Sequence, residues 1–200
     1  MKIYFDGCSW TAGAELENPE EERYSKILCN ELGAEETNLA MDGGSNDRIV
    51  RNLLVENNIE DYDMAVIQMT FPVRTEFWNN KWNRDRWIRV NPKYNYNKWL
   101  QGENANIERL GEKFKDHSDF WKYYYLQVTN QKYFETKEKI YYHTIRNSCK
   151  IPLVLLTINR WTKLPFDLQL DDGTRRMRHR MGHPNKDLHQ VFADKILKML

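Results

Sequence analysis

Lys2-Ile3-Tyr4-Phe5-Asp6-Gly7-Cys8-Ser9-Trp10-Thr11-Ala12-Gly13 is the stretch on which the fold turns. Residues 2–6 read as a short buried strand that runs directly into small residues and a loop. That layout brings side chains to the carboxyl edge of a parallel sheet. Ser9 lies in the loop. A hydroxyl just past a strand becomes a nucleophile when a base reaches it, although a serine that only shapes a turn has the same local sequence. Cys8 beside it is a rival nucleophile by chemistry, but a cysteine at a strand end is more often buried and inert.

Downstream, Glu20 to Leu32 has a helical pattern closed by Gly33. Glu36 to Leu39 suits a second short strand. The turn Asp42-Gly43-Gly44-Ser45-Asn46 precedes a helical period over Asp47 to Asn57, carried by Ile49, Val50, Leu53 and Leu54. Met64 to Met69 is a near-continuous apolar run, as expected of a central parallel strand covered on both faces, and Pro72 ends it. Asp116 to Cys149 reads as one long helix or a broken pair. Pro152 to Ile158 is another buried strand, residues 160–182 read as loop, and Pro184 to Leu200 reads as the last helix with Pro184 near its first turn. Strands alternating with helices imply an α/β fold with a parallel sheet.

A chain of 200 residues suffices for one domain with a sizeable core, here residues 1–200. Its hydrophobic content of 40% and charged content of 30% mark the soluble globular class. A formal net charge of +1 removes any global pull toward nucleic acid or membrane. No apolar run reaches the ~18 residues of a membrane span, and the start turns polar too soon for a signal peptide. The three cysteines, Cys8, Cys29 and Cys149, have no disulfide or metal spacing, so a cytoplasmic, reducing compartment is expected, with no metal and no cofactor.

Residues 73–115 change character and read as an insertion or lid. Between Val73 and Leu100 stand Arg74, Lys81, Arg84, Arg86, Arg89, Lys93 and Lys98 against Glu76 and Asp85. Trp78, Trp82, Trp87 and Trp99 are interleaved with them. Such aromatics stack on sugars or bases, and arginines pair with anions; aromatics that merely pack a lid onto a sheet give the same pattern. A second basic run, Arg175 to Arg180, lies just before Gly182-His183-Pro184. His183, on a loop at a helix start, is a candidate general base, or an ordinary surface histidine. The Gly43-Gly44 turn can offer backbone N–H groups to an oxyanion, or serve only as a helix entry.

In this order the three features resemble the conserved blocks of the SGNH/GDSL hydrolases. Phe5 to Gly13 resembles the first block, with Cys8 where the name-giving Asp would stand. Asn38-Leu39-Ala40-Met41-Asp42-Gly43-Gly44-Ser45 resembles the second, and His183-Pro184-Asn185 with His189 and Ala193 the last. The resemblance implies a flavodoxin-like, three-layer α/β/α fold and a serine esterase or carbohydrate O-deacetylase. It assigns Ser9 as nucleophile, His183 as base, and the N–H groups of Ser9 and Gly43 as oxyanion donors. Two departures stand out. The family's Gly-x-Asn-Asp after the third strand is replaced by a segment in which Thr70 and Arg74 are the available donors. The acid usually found three residues before the histidine is Arg180, so a backbone carbonyl or another acid, Asp171 or Asp172 first, is expected to hold the imidazole. The expected partner is a small-molecule or carbohydrate ester, contacted by Trp10, Trp78, Trp82 and Arg180. A competing reading is a binding module that keeps the fold without the chemistry; nucleic-acid binding through the basic aromatic patch ranks below both.

Overall fold

The computed structural model describes residues 1–79, 86–90, 123–170 and 182–200. Its centre is β1 (Lys2–Asp6), paired in parallel on one side with β2 (Glu35–Asn38) and on the other with β3 (Met64–Met69). Beyond β3 come β6 (Leu153–Thr157) and the two-residue β7 (Leu168–Gln169), both parallel, giving the order β2-β1-β3-β6-β7 among the described residues. Ile3 pairs with Met64 and Ala65 with Leu153, so the most apolar strands lie innermost.

Alternation along these strands splits the core into two layers. Ile3, Phe5, Val66 and Leu156 face a cluster with Tyr24, Leu28, Leu188 and Phe192. Tyr4, Ala65, Ile67 and Leu155 face the other, with Ile49, Leu53, Tyr142 and Ile145. The first layer is covered by α3 (Tyr24–Leu32) and α6 (Lys186–Leu197), the second by α4 (Asn46–Arg51) and α5 (Gln131–Ser148). This is a three-layer α/β/α sandwich. An antiparallel pair, β4 (Thr75–Asn79) with β5 (Arg86–Val90), makes a second small sheet inside the expected insertion. Arg51 ties it to α4 through Glu76 at 2.7 Å. No helix among the described residues is long and apolar enough to cross a membrane.

Several element boundaries differ from the sequence reading. The helix expected over 20–32 is broken at Arg23, whose extended backbone (ψ 145°) separates α2 (Pro19–Glu22) from α3. From there its guanidinium forks to Glu20 at 2.7 Å and Glu36 at 2.9 Å. The helix over 47–57 widens into a π-helical turn at Asn52–Glu56, with the Asn52 amide donating to Asp6 at 2.8 Å. The aromatic stretch before α5 is also broken, with a π-helical turn at Tyr124–Val128. Pro184 lies outside α6, whose N-cap is Asn185, accepting from Leu188 N at 3.0 Å. The short β7 lies in what reads as loop.

Candidate active site

Sheets with this strand order reverse their winding between β1 and β3, and ligands gather beyond the carboxyl ends there. Ser9 follows β1 and Thr70 follows β3. Ser9 opens the single helical turn α1 (Ser9–Ala12), so its N–H is among those that a helix start leaves without an intrahelical partner. Ser9 is 3% exposed and its hydroxyl donates to Cys8 Sγ at 3.9 Å.

Cys8 is fully buried amid hydrogen-bond donors. Gln68 Nε2 lies 3.4 Å from its sulfur, and the Trp10 N–H and Thr70 hydroxyl also donate to it. Arg74 Nη1 donates to Thr70 Oγ1 at 2.8 Å and Gly44 O at 3.4 Å. Burial pushes the Cys8 thiol up, but the Arg74 charge and these donors outweigh it and leave the thiol below its ordinary value. Thr70 itself is held by Asn46, which donates to its carbonyl at 2.9 Å and accepts from its N–H at 2.8 Å.

The glycine turn lies directly on this loop. Gly43 has a left-handed φ of 66°. Gly44 has no room for a side chain: a Cβ there would sit 2.8 Å from Gly7 O and 3.0 Å from Met41 O, both backbone atoms. Gly44 N–H is used within the turn, donating to Met41 O at 2.9 Å. Asn38 joins the turn's entry to its surroundings, donating to Thr11 O at 3.1 Å and Ser25 Oγ at 2.9 Å. Beneath them, buried Asp6 accepts from Gly7 N–H (2.7 Å), Arg48 (2.9 Å) and Asn52 (2.8 Å), and Arg48 also donates to Leu39 O at 2.6 Å. One buried carboxylate thus fixes the ends of β1 and β2 and the start of α4.

His183 precedes α6, and its Nδ1 lies 2.6 Å from Glu15 Oε2. The acid expected for this contact was Asp171 or Asp172, which lie outside the described residues, as do Trp82 and Arg180. Glu15 comes instead from the turn after α1. Its φ of 69° is left-handed, unique among the described non-glycine residues, and such backbone costs on the order of 1–3 kcal/mol. The turn is held by Ala14 N to Ser9 O at 2.9 Å and by the buried Leu16. No hydrogen bond joins Ser9 to His183 among the described residues. His189, on α6, is a core residue: it accepts from Tyr24 N at 3.1 Å and stacks on the Tyr24 ring.

Of the expected contact aromatics, Trp10 stacks on Phe192 with centroids 6.1 Å apart, and Trp78 on β4 is 51% exposed. A cavity of about 600 Å³ opens along the same sheet edge, where the loops after β3 and β6 meet α5. Pro72, Gln131, Glu138, Asn159 and Trp161 line it. Burial pushes the Glu138 carboxyl up despite hydrogen bonds from Asn159 and Thr162. No group of three or more His, Cys, Asp or Glu among the described residues could hold a metal ion.

No protein-family model matches this chain, and no curated protein matches it in sequence. Solved structures do match. The psychrotrophic esterase EstA from Pseudoalteromonas sp., inhibited by monoethylphosphonate, aligns over 98% of this chain and 94% of its own, with TM-score 0.54 and 11% identity. The acetyl xylan esterase AlAXEase aligns over 100% of both chains, with TM-score 0.50 and 14% identity. A family two carbohydrate esterase from Clostridium thermocellum, in complex with cellohexaose, aligns over 99% of this chain and 62% of its own, with TM-score 0.50 and 13% identity. At these identities the likeness is one of fold, and it agrees with the parallel sheet and its two helical layers. The chain shares its fold with these esterase structures.

Proposed function

We propose that this protein is a serine hydrolase that cleaves an ester of a carbohydrate or another small acylated molecule. Ser9 Oγ attacks the acyl carbon as His183 takes its proton. The N–H groups of Ser9 and Gly43 hold the oxyanion, and Arg74, acting with Thr70, adds positive potential beside it. The protonated imidazole then gives its proton to the departing alkoxide, and water releases the acyl group by the same steps in reverse. One observation carries this reading: His183 is bonded to Glu15, in the turn that leaves the Ser9 helix, although 168 positions separate the two residues. The esterase folds among its structural neighbours support the reaction class. The cavity beside Trp161 and Asn159 offers an aromatic face and hydrogen-bonding groups to a sugar ring. The antiparallel β4–β5 pair belongs to the aromatic insertion, which we take to be a lid.

The test is turnover of a short-chain activated ester by purified protein. Slow hydrolysis is expected, and Ser9→Ala should abolish it while the circular dichroism spectrum is unchanged. Full turnover by Ser9→Ala would remove Ser9 from its role. The second reading, a binding module, draws on the Ser9 hydroxyl being turned to Cys8 Sγ. It predicts capture of an acylated sugar with no turnover by the wild type.

A further inference from the structure

We infer that Glu15 is the positioning acid of His183, supplied from the turn behind the nucleophile instead of from the segment just before the histidine. The inference rests on the proposed ester hydrolysis. At 2.6 Å the contact is slightly shorter than the roughly 2.7–2.9 Å of charge-assisted N–H···O bonds. The His183 side chain is 19% exposed and that of Glu15 26%, so the pair is partly shielded although it lies at the surface. Glu15 also keeps a left-handed backbone that non-glycine residues seldom adopt. Strained backbone of this kind persists where its surroundings enforce it, and it clusters at functional sites.

The chemistry follows from which nitrogen Glu15 meets. A carboxylate accepting from Nδ1–H fixes the tautomer that leaves the Nε2 lone pair open. When Ser9 is deprotonated, its O–H bond breaks, Nε2–H forms, and Oγ bonds to the acyl carbon. Glu15 stays ionised throughout and stabilises the imidazolium; no proton passes to it. An arginine at position 180 is then no defect, because the acid has another origin. Glu15 lies six residues after Ser9, in the turn that follows α1, so base and nucleophile are registered to the same piece of backbone.

Two measurements on wild type, Glu15→Gln and Glu15→Ala test this. Glutamine keeps the shape and a hydrogen bond, so a contact that only pins α6 to the turn would survive with kcat and thermal stability unchanged. A positioning acid gives a different result. Its amide can donate to Nδ1 and favour the wrong tautomer, so kcat should fall on the order of 100-fold or more while KM and melting temperature hold. Turnover by Glu15→Gln within about twofold of a wild type that hydrolyses esters would overturn the assignment, on the kcat criterion just given. The second readout needs no activity: ¹⁵N NMR of the His183 ring, assigned against His183→Gln and recorded where the ring is neutral. The wild type should carry its proton on Nδ1, and Glu15→Ala should lose that signature. A wild-type ring protonated on Nε2, or a tautomer indifferent to Glu15→Ala, overturns the inference whether or not esters are cleaved. A wild type with the Nδ1–H signature but no turnover leaves Glu15 in place and refutes the hydrolase reading alone.

Discussion

Cys8 stands where the resemblance calls for an aspartate, and its surroundings show how a thiol fills that place. The Trp10 N–H, Gln68 Nε2 and the Thr70 hydroxyl serve the sulfur as donors, with Arg74 behind Thr70, while Gln68 Oε1 accepts from the thiol at 3.5 Å. That donor set suits an anion, and it holds the thiol below its ordinary value. Cys8→Ala should therefore cost about 1–3 kcal/mol, because it strands buried donors. Cys8→Asp, which restores an acceptor, should cost less; urea denaturation of the two variants measures the difference, and equal losses would mean that packing alone sets the cost. At this scale the sequence was a partial guide. The placement of Ser9, His183 and the glycine turn at strand and helix ends is legible because small residues flank them. Glu15 is not. It lies in the acidic stretch Glu15-Leu16-Glu17, which reads as solvated surface, and its side chain reaches His183 through a left-handed φ that a glutamate does not announce.

Among the elements, β1, β3 and β6 were the easiest to read, since apolar runs bounded by Gly, Pro and Asp have few alternatives, whereas β4, β5 and β7 did not read as strands. Helices failed where a side chain had a better use than the helix allowed. Arg23 leaves the helical backbone and gains paired contacts to Glu20 and Glu36, which join α2 and α3 to β2. Burial pushes the Glu36 carboxyl up, but hydrogen bonds from Arg23, Ser25 and Asn38 and the Arg23 charge hold it below its usual 4.5. A carboxylate depressed in the folded state stabilises fully above its unfolded value, and that stability is lost as pH falls through the folded one. The unfolding free energy should thus decline as pH drops below about 4.5, the ordinary glutamate range, and more steeply in the wild type than in Glu36→Gln. Urea titrations at stepped pH check this; parallel acid limbs would show that Glu36 carries none of the dependence.

For the molecule as a whole, the strand order β2-β1-β3-β6-β7 does the decisive work by opening the sheet's carboxyl edge between β1 and β3. Ser9, Thr70 and the Gly43 turn come from separate parts of the chain and are tied together at that edge by the Asp6, Asn38 and Asn46 networks, while Glu15, after α1, is joined to His183, before α6. The parallel sheet was legible from strand and helix alternation; the strand order, and the short β7 in what reads as loop, were not. The aromatic insertion was legible only as a change of composition, because its residues follow neither period. Labelling with an alkyl fluorophosphonate, with the adduct located by peptide mass spectrometry, decides whether Ser9 is a nucleophile activated by His183. The expected result is one adduct, on Ser9, which disappears in His183→Ala. An adduct on Cys8, no adduct on Ser9, or labelling of Ser9 unaffected by His183→Ala would contradict that role for Ser9.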